Sequence, residues 1–473
     1  MKLYFLGGAR EVGRSSILVE TQFGSKTKRI LLDCGIKIEE DEEEHPLLEE
    51  KQMRSLDAVA LTHAHLDHSG FLPALYEAGF RGKTFLTKPT RDLIQVLLAD
   101  YLRINKHAAL YGQQDVKTLL AKTEIVEADE QPVLLQSQDE RRERQPHSHE
   151  QRSQPPQGLQ RKDYEIAFHH AGHILGSAMI EIRANGKTLL YTGDLNTRAT
   201  RLLEGAKTSL TADVLVIEST YGSKADKHPS LKESGRILAE SIKETFKKGG
   251  KVIIPTFGIG RGQEILFALE NFMRSGAIPE TPIYIDGMIK KVLRIYRHNA
   301  IYLKREIQHR ILTSEDDPFK SKYYHYPETK NRSDVINQDR AIIVTTSGML
   351  NGGPVLTYLK HLGPDPKNKI IFVGYQAKGT RGRELLEGAK ELKFDNETYP
   401  MNLEVVQAPI SAHSDFTELL NFVKNTQKLK KVFIIHGEGT KPFELAEAIE
   451  EWAATQKKQI EVFVPSLGKE YRA

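Results

Sequence analysis

The stretch LTHAHLDHSG at residues 61–70 decides how the rest of the chain is interpreted, because four candidate metal ligands fall within six positions. An apolar run precedes it, so the ligands follow an extended segment. Side chains alternate along a strand, so His63 and His65 would point to one side of it. Asp67 and His68 would then lie on the following loop or first helical turn. One cluster could therefore face two metal ions rather than one.

A histidine pair alone would be weaker support, because His-x-His on a strand is commonly a hydrogen-bonded pair without any metal. Four candidate ligands in this register are harder to explain by packing, since buried histidine and aspartate must be paired or metal-bound. Imidazole and carboxylate suit zinc, and a catalytic zinc site keeps one position open for water. Manganese accepts the same ligands, so the pattern leaves the choice of metal open.

Composition describes an ordinary globular protein of more than one domain. The chain has 473 residues, of which 39% are hydrophobic and 27% charged. This length exceeds one typical hydrophobic core, so we expect two domains. The 67 Lys and Arg residues against 63 Asp and Glu residues give a net charge of +4. Any basic surface for a polyanion must therefore be local.

The cysteine content and the hydropathy of the sequence indicate in which cellular compartment the protein is expected. Cys34 is the single cysteine, which excludes internal disulfides and zinc knuckles built from thiolates. The first 16 residues, MKLYFLGGAREVGRSS, have too short an apolar run and too early a charge for a signal peptide. No window approaches the ~18 apolar residues of a membrane span. We expect a soluble, cytoplasmic protein without a membrane partner.

The chain opens with an antiparallel arrangement. Residues 2–6, 16–20 and 28–33 have the composition of strands, and glycine-containing turns separate them. Asp33 ends the third of these strands, where its carboxylate could orient a neighbouring histidine. An aspartate that caps a turn explains the residue equally well.

Residues 136–161 have the composition of a disordered insertion. They contain almost no apolar side chains and are rich in Gln, Arg and Pro. Such a segment cannot bury a core. His147 and His149 lie within it, and we interpret both as solvated rather than as ligands.

Two further candidate ligands follow at the ends of strands between residues 164 and 195. His173 and Asp194 each follow a glycine, which indicates that the backbone comes close to another group there. His169 and His170 are rivals of His173 with nearly equal claims. The sequence GHILGS around His173 favours that residue.

From residue 209 the pattern changes to apolar runs that alternate with helical stretches. Such alternation predicts a parallel sheet covered on both faces, and hence a second domain of α/β type. The runs are residues 213–218, 251–255, 282–286, 341–345 and 370–374. Short strands that end near histidines resume at residues 404–410 and 431–436.

Several motifs in this order resemble a known family. HAHLDH, GHILGS and TGD resemble the metallo-β-lactamase superfamily. VIESTYG (216–222), SAHSD (411–415) and IIHGE (434–438) resemble the three motifs of its β-CASP branch of RNA nucleases. TFGIGRGQE, TTSGML and GYQAKGTRGRELL are similar to stretches in relatives of the mRNA 3′-end cleavage and polyadenylation specificity factor endonuclease, in archaeal and bacterial forms that lack a KH domain. The resemblance covers nearly the whole chain except residues 136–161.

The resemblance implies an α/β fold, in which a metallo-β-lactamase αββα sandwich carries an inserted, Rossmann-like β-CASP domain with a parallel sheet. Residues 1–208 and 393–473 would form the two parts of the sandwich domain. Residues 209–392 would form the insert.

The resemblance also implies a site for two zinc ions per chain. The ligands it implies are His63, His65 and His173 for the first ion, Asp67, His68 and His436 for the second, and Asp194 between the two. Asp33 would orient a ligand from behind, and Glu218 and His413 would form a pair beside the metals. Every ligand position of the pattern is filled, which argues against the catalytically inactive scaffold members of the family.

Two metal ions about 3.5–4 Å apart can generate a hydroxide and stabilise both oxygens of an in-line displacement, which suits a phosphodiester. Among the catalytic candidates, Asp67 fits a ligand better than a free base, because it lies between ligand histidines. His413 is the candidate acid for the leaving 3′ oxygen, because a carboxylate such as Glu218 favours the imidazolium form. A histidine with a purely structural hydrogen bond is the alternative.

RNA would bind between the two domains. GIGRG (258–262) and GTRGR (379–383) combine backbone N–H groups with arginines, which suits phosphates. Each fits an ordinary strand-to-helix turn equally well. The RNA-binding candidates are Arg261, Lys378, Thr380, Arg381 and Arg383. Phosphate contacts carry no sequence preference, and the sequence shows no KH or RRM signature that would add one.

These features together predict a zinc-dependent ribonuclease of RNA processing, 3′-end maturation or decay, acting as an endonuclease, a 5′→3′ exonuclease or both. A homodimer or an RNA-processing complex is its expected assembly. A small-ester or thioester hydrolase is disfavoured, since it needs no lid as large as residues 209–390. A DNA-directed nuclease of the same branch is disfavoured, because the DNA-directed members typically lack a histidine at the position that corresponds to His436. An inactive RNA-binding scaffold would require lost ligands.

Overall fold

The structure, a computed structural model, describes residues 1–23, 26–39, 42–105, 109–134, 165–314 and 316–473. The predicted insertion at 136–161, with His147 and His149, lies outside the described residues. Across the described ranges, no helix has the length and apolar character needed to cross a membrane.

The first of two large sheets has seven strands and contains the N-terminus. In spatial order the strands are Glu470–Arg472, Lys2–Gly7, Ser16–Phe23, Lys26–Leu32, Ala58–Ala60, Lys83–Leu86 and Thr123–Ile125. The first four pair antiparallel, which confirms the antiparallel opening predicted for the chain. The remaining strands pair in parallel.

The second sheet also has seven strands and packs against the first. Its strands are, in order, Glu461–Phe463, Lys431–Ile435, Val214–Glu218, Lys187–Tyr191, Ala178–Ala184, Glu165–His170 and Val133–Leu134. One apolar cluster joins the facing sides of both sheets, with the ring centroids of Phe5 and Phe433 5.4 Å apart. Burying each such aromatic side chain contributes about 1.5–3 kcal/mol.

Helices cover the outer faces of both sheets and complete an αββα sandwich. The helices on this lobe are Glu50–Arg54, Leu66–Ser69, Leu72–Glu77, Lys88–Ile104, Gln113–Ala121, Phe416–Asn425 and Lys441–Thr455. The last two bury Phe422 and Leu445 against Leu215 and Ile217 of the second sheet. Two hairpins stand apart from the large sheets, Lys37–Glu39 with Glu42–Glu44 and Glu391–Phe394 with Glu397–Pro400.

A third sheet has six strands, all paired in parallel. In order they are Tyr324–His325, Ile283–Ile285, Ile342–Thr345, Val252–Pro255, Lys369–Phe372 and Glu404–Gln407. The helices between these strands are Leu231–Lys247, Arg261–Arg274, Ile289–His298, Arg305–Leu312, Ser333–Ile336, Pro354–Leu362 and Arg381–Leu386, with short 3₁₀ turns at Ala300–Tyr302 and Pro318–Lys320. The predicted fold class, a sandwich carrying a parallel-sheet insert, is confirmed.

Two strands differ from the expected division of the chain. Val214–Glu218, expected in the insert, pairs with Lys187–Tyr191 and Lys431–Ile435 of the sandwich. Glu404–Gln407, expected in the sandwich, pairs with Lys369–Phe372 of the insert sheet. A short apolar run fits either sheet, because its composition does not encode which strand lies beside it. The boundaries at 209 and 392 stay predictions.

Strand ends of the sandwich converge at one edge. The register places Glu218 opposite Ile435 on neighbouring parallel strands. Tyr191 pairs with Val216 in the same sheet. The residues that follow these carboxyl ends, Asp194 and His436 among them, therefore meet at a single edge.

Candidate metal centre

The loop after strand Ala58–Ala60 is held close to the turn at residues 33–36. The N–H of Ser15 donates to the carbonyl of Asp67, and that of Cys34 donates to the carbonyl of His68, both at 2.8 Å. Gly35 makes this approach possible, because a Cβ there would lie 1.8 Å from the Asp67 carbonyl oxygen. The backbone thus fixes the second half of the HAHLDH motif.

Four candidate ligands form a first group at the edge of the sandwich. His65 Nδ1 lies 3.2 Å from His63 Nε2 and 3.1 Å from His173 Nε2. Oδ2 of Asp194 lies 3.5 Å from His63 Nε2 and 3.4 Å from His173 Nε2. One ligand atom from each residue falls within 4.8 Å of the other three, which is close enough to surround a metal ion.

Three more candidates form a second group beside the first. Asp67 Oδ2 lies 3.4 Å from His436 Nε2 and 3.7 Å from His68 Nε2. Oδ1 of Asp194 lies 3.2 Å from both His68 Nε2 and His436 Nδ1. Asp194 therefore presents one carboxylate oxygen to each group.

Asp194 reaches this position because of the glycine before it. Gly193 has a φ of +52°, and a Cβ there would lie 2.7 Å from the side chain of Thr62. A larger residue at this position would separate Asp194 from the HAHLDH loop. The glycine noted in the sequence marks this close approach.

The outward-facing ring nitrogens of three histidines are bonded to protein oxygens. These contacts are His63 Nδ1 to Thr62 Oγ1 (3.0 Å), His68 Nδ1 to Asp33 Oδ2 (2.7 Å) and His173 Nδ1 to the Ala412 carbonyl (2.8 Å). Asp33 also accepts a hydrogen bond from the Tyr191 hydroxyl at 2.8 Å. Bonds of this kind fix the ring orientation and leave the other nitrogen free to bind a metal.

Several inward-facing atoms have no hydrogen-bond partner. Within the described ranges these buried atoms include His68 Nε2, Asp194 Oδ1 and His436 Nε2. An unsatisfied buried polar atom costs about 1–3 kcal/mol, and more if it is charged. A divalent cation would satisfy such atoms, and imidazole and carboxylate are the donors it requires. The residues present therefore fit a divalent-metal centre.

The electrostatics of the first ligand group favour metal binding, whereas in the second group the Asp194 carboxylate, against the effect of burial, raises the pKa of His68 and His436. Burial, together with the neighbouring His68, places the pKa of His63 well below its ordinary value, and burial also lowers the pKa of His173 well below its ordinary value. Burial alone would raise the pKa of Asp194, but His68 and His436 hold it well below its usual range. Neutral imidazole and ionised carboxylate are the forms that bind metals.

Glu218 and His413 lie together beside this cluster. His413 Nδ1 is 3.0 Å from Oε1 and 3.2 Å from Oε2 of Glu218. The opposite nitrogen, Nε2, lies 3.9 Å from Asp194 Oδ2. Glu218 also lies close to Asp194 and His436, but it accepts a hydrogen bond from the Leu195 N–H at 2.6 Å.

The rival histidines lie elsewhere. His169 bonds Asp129 through Nδ1 and Glu181 through Nε2, each at 3.0 Å. His170 Nε2 lies 3.1 Å from the carbonyl of Glu204. Of the three histidines that the sequence left open, the structure brings only His173 to the cluster.

Three of the RNA-binding candidates surround the start of helix Arg381–Leu386. Thr380 is buried and caps this helix, its hydroxyl accepting from the N–H of Arg383 at 3.3 Å. Arg381 Nε donates to the Lys393 carbonyl at 2.8 Å. Both side chains serve the fold, whereas Lys378 is exposed.

The other two arginines lie nearer the junction of the lobes. Arg383 donates to Glu387 at 2.7 Å and lines a cavity of about 450 Å³ between sandwich and insert. Arg261 is 8% exposed, and burial lowers its pKa to about 10. Its guanidinium interacts electrostatically with Tyr221, Glu264 and Tyr296.

The cavity contains aromatic residues that the sequence analysis missed. Lys441 Nζ lies 5.2 Å from the ring centroid of Tyr221 and 5.0 Å from that of Tyr375. The Tyr221 ring lies 6.1 Å from that of His413. Tyr221 belongs to the VIESTYG motif, so its place beside Glu218 in the sequence was a signal for this position.

Comparison with known domain families matches three parts of the chain. Residues 22–220 match the metallo-beta-lactamase superfamily domain, and residues 262–385 match the Beta-Casp domain. Residues 398–465 match the Zn-dependent metallo-hydrolase RNA specificity domain.

Similar proteins extend along nearly the whole chain. An RNase J-like protein of Methanocaldococcus jannaschii is 38% identical over 467 residues, covering 98% of each chain. Transcription termination factor FttA of the same organism is 37% identical over 470 residues, which is 95% of this chain and 69% of that protein. FttA of Pyrococcus abyssi is 36% identical over 469 residues, or 94% and 68% of the two chains.

A solved structure supports the fold alone. The crystal structure of a protein of unknown function from Enterococcus faecalis V583 superposes with a TM-score of 0.54 at 12% identity, covering 99% of both chains.

Proposed function

Because the chain belongs to the β-CASP nucleases of the metallo-β-lactamase superfamily, which are metal-dependent hydrolases, we propose that it is a zinc-dependent ribonuclease that hydrolyses phosphodiester bonds. One observation carries this proposal: Asp194 joins two ligand groups by directing one oxygen to each. The match to an RNA specificity domain supports RNA as the substrate.

We assign two zinc ions to the two groups. His63, His65 and His173 would hold the first ion, Asp67, His68 and His436 the second, and Asp194 both. When bound, the ions would supply Lewis acidity, activating water for attack and neutralising charge on the phosphate. Asp67 acts in this scheme as a ligand, because its carboxylate lies against His436 and His68.

Asp33 would orient His68 from behind. Its carboxylate is fully buried and accepts hydrogen bonds from the backbone and hydroxyl of Thr62, at 2.7 and 2.8 Å. These bonds fix the carboxylate that contacts His68 Nδ1. Residues behind the ligands of metal sites commonly act in this way.

His413 would deliver a proton to the leaving 3′ oxygen. Glu218 binds Nδ1 and is itself held by the N–H of Leu195, so the ring is fixed with Nε2 towards the cluster. His413 is 16% exposed in its side chain, whereas Asp194 and Glu218 are at most 3% exposed. His413 can therefore reach a substrate in the cleft, which a general acid must do.

RNA would lie between the two lobes. Arg261, Arg383 and Lys378 are the cations that we expect to meet phosphates. Thr380 and Arg381 would contribute indirectly, by capping and anchoring helix Arg381–Leu386. Backbone contacts of this type would confer affinity without sequence preference.

The biological role that we propose is RNA processing, 3′-end maturation, decay or termination. The names of the RNase J-like protein and of the termination factors support this range of roles. We also propose that residues 1–208 and 393–473 form the catalytic domain around an insert of residues 209–392, and that the protein acts as a homodimer or within an RNA-processing complex.

Metal analysis combined with cleavage of RNA labelled at its 5′ end tests the function. We expect about two zinc ions per chain and cleavage of RNA in preference to DNA of the same sequence. Short internal fragments would show endonuclease action, and mononucleotides released first would show exonuclease action. A protein that binds no metal, or that prefers DNA, would contradict the proposal.

A further inference from the structure

Phe257 is an exposed aromatic residue next to the metal centre. It follows strand Val252–Pro255 of the insert sheet and is 36% exposed. Its ring centroid lies 6.5 Å from that of His65, with the two planes tilted by 45°. The insert therefore places an apolar ring beside a proposed metal ligand of the sandwich.

The Phe257 ring does not belong to a hydrophobic core. Among the described residues, none of the apolar clusters includes it. One edge of the ring faces glycines instead, since a Cβ on Gly374 would lie 3.5 Å from Cε2 and one on Gly348 would lie 3.4 Å from Cδ2. The absence of side chains at these two positions leaves space along the ring.

The backbone that carries Phe257 is fixed on both sides. The N–H of Thr256 donates to the carbonyl of Thr345 at 2.9 Å, and the N–H of Gly262 donates to the carbonyl of Phe257 at 3.2 Å. Gly258 packs against Met288, where a Cβ would lie 2.3 Å from Cγ. The ring is therefore presented from a well-supported turn, as a binding platform requires.

We propose that Phe257 is a stacking platform for a nucleobase of the RNA strand, on the nucleotide next to the phosphate that is cleaved. This inference rests on the proposed ribonuclease function. Every base has an apolar face that can stack on an aromatic ring, so the contact holds an RNA strand without selecting its sequence. In a nucleotide only a ribose separates the phosphate from the base. A nucleotide whose phosphate lies at the metal cluster could therefore place its base on the neighbouring Phe257 ring.

The stacking role has a consequence for the form of the RNA. A base that lies on Phe257 cannot remain stacked and paired within a duplex. The platform therefore favours single-stranded RNA at the cleavage position.

An isolated exposed apolar side chain is common on proteins and needs no function. Phe257 differs from the exposed Phe443, whose ring lies 5.3 Å from the guanidinium of Arg10 on the sandwich. A ring that merely keeps water from the metal centre is a second alternative. Both alternatives predict that the effect of changing Phe257 does not depend on the base.

The test combines protein variants with substrates that lack one base. Zinc-loaded wild type, F257L, F257W and the control F443L are compared on a single-stranded RNA of one sequence. A set of otherwise identical RNAs carries one abasic residue, moved through the positions that flank the cleavage site. KM and kcat are measured for each pair, and 2-aminopurine at the same positions reports stacking by fluorescence quenching on mixing.

We expect F257L to raise KM about 5- to 100-fold on intact RNA, the range that corresponds to the stacking of one base. F257W and F443L should stay within about twofold of wild type. At one abasic position wild type and F257L should become equal, and 2-aminopurine there should be quenched by wild type and F257W but not by F257L.

An equal effect of F257L on intact and abasic RNA at every position would overturn the stacking role, and so would no effect at all. If wild type cleaves no RNA, the proposed function fails instead. Failure of the stacking role and failure of the proposed function can be distinguished, because the effect of F257L can be measured only if the wild type cleaves RNA.

Discussion

His413 Nδ1 lies 3.0 Å from Glu218 Oε1, although 195 residues separate them in the chain. Strand Val214–Glu218, which pairs with strand Lys431–Ile435, carries Glu218 to the edge where the metal ligands meet. The N–H of Ser414 donates to the Leu195 carbonyl at 2.7 Å, which holds the SAHSD segment against the loop after Asp194. The pair is therefore fixed by backbone pairing and not only by its own contact.

The proposed acid role predicts that H413A reduces kcat but leaves the metal content unchanged. General acid catalysis contributes about 10²–10⁴-fold, so a loss in this range is expected. Single-turnover cleavage and metal analysis of the same samples provide the measurement. E218Q, which keeps the shape of the partner without its charge, should show a smaller loss of kcat. Loss of metal from H413A would count against the acid role.

The H65A variant should bind less metal and should not cleave RNA. His65 Nδ1 lies within 3.2 Å of a nitrogen of both His63 and His173, so the substitution removes one proposed ligand of the first group. The matched control is H170A, since that ring is hydrogen-bonded to the Glu204 carbonyl, outside the cluster. Metal analysis and digestion of labelled RNA compare the two variants. Full activity in H65A would refute the metal assignment.

The local part of the site could be predicted from the sequence. HAHLDH carries four ligands in one short loop, so their proximity needs no knowledge of the fold. Asp194 and His173 follow glycines, and the close approach that those glycines indicated is present at Gly193. A ligand group can therefore be predicted from the sequence where its members are close together in the chain as well as in space.

The remaining features depend on long-range packing. His169, His170 and His173 have similar local sequences, and only the pairing of strand Glu165–His170 directs His169 towards Glu181. The sheet to which Val214–Glu218 belongs is likewise set by its neighbours. Phe257 and Lys441 carry no ligand chemistry, and their positions depend on how the two lobes pack.

Removal of metal should destabilise the protein. The buried atoms of His68, Asp194 and His436 that lack partners would stay unsatisfied, and the ion would no longer favour the folded state. We expect EDTA to lower the Tm and stop cleavage, and added zinc to restore both. Differential scanning calorimetry with parallel RNA digestion measures this. A Tm that is unchanged by chelation in a protein shown to have lost its metal would contradict it.

G35A should damage the second ligand group. A Cβ at Gly35 would lie 1.8 Å from the Asp67 carbonyl oxygen, so the HAHLDH loop must move. Overpacking of this kind costs about 1–3 kcal/mol. We expect a lower Tm and reduced metal content, measured by calorimetry and metal analysis. G352A is the control, because a Cβ at Gly352 meets no atom within 4 Å; equal behaviour of the two variants would contradict the steric explanation.

His169 predicts a pH dependence of stability that is separate from the metal centre. Burial alone would lower its pKa, but hydrogen bonds with Asp129 and Glu181 raise it above the ordinary value of 6.5. Lys207 and Arg183 face these two carboxylates from the other side.

A raised pKa means that the folded state binds the proton more tightly than the unfolded state. The resulting stabilisation is complete below about pH 6.5 and is lost as the pH rises through the raised value. H169Q should therefore lower the Tm relative to wild type by about 2 °C at pH 6, a size typical of a partly exposed ion pair. The difference should shrink towards alkaline pH. Thermal unfolding from pH 5.5 to 9, with H170Q as control, measures it, and a difference that is constant across this range would show that His169 contributes by packing and not by charge.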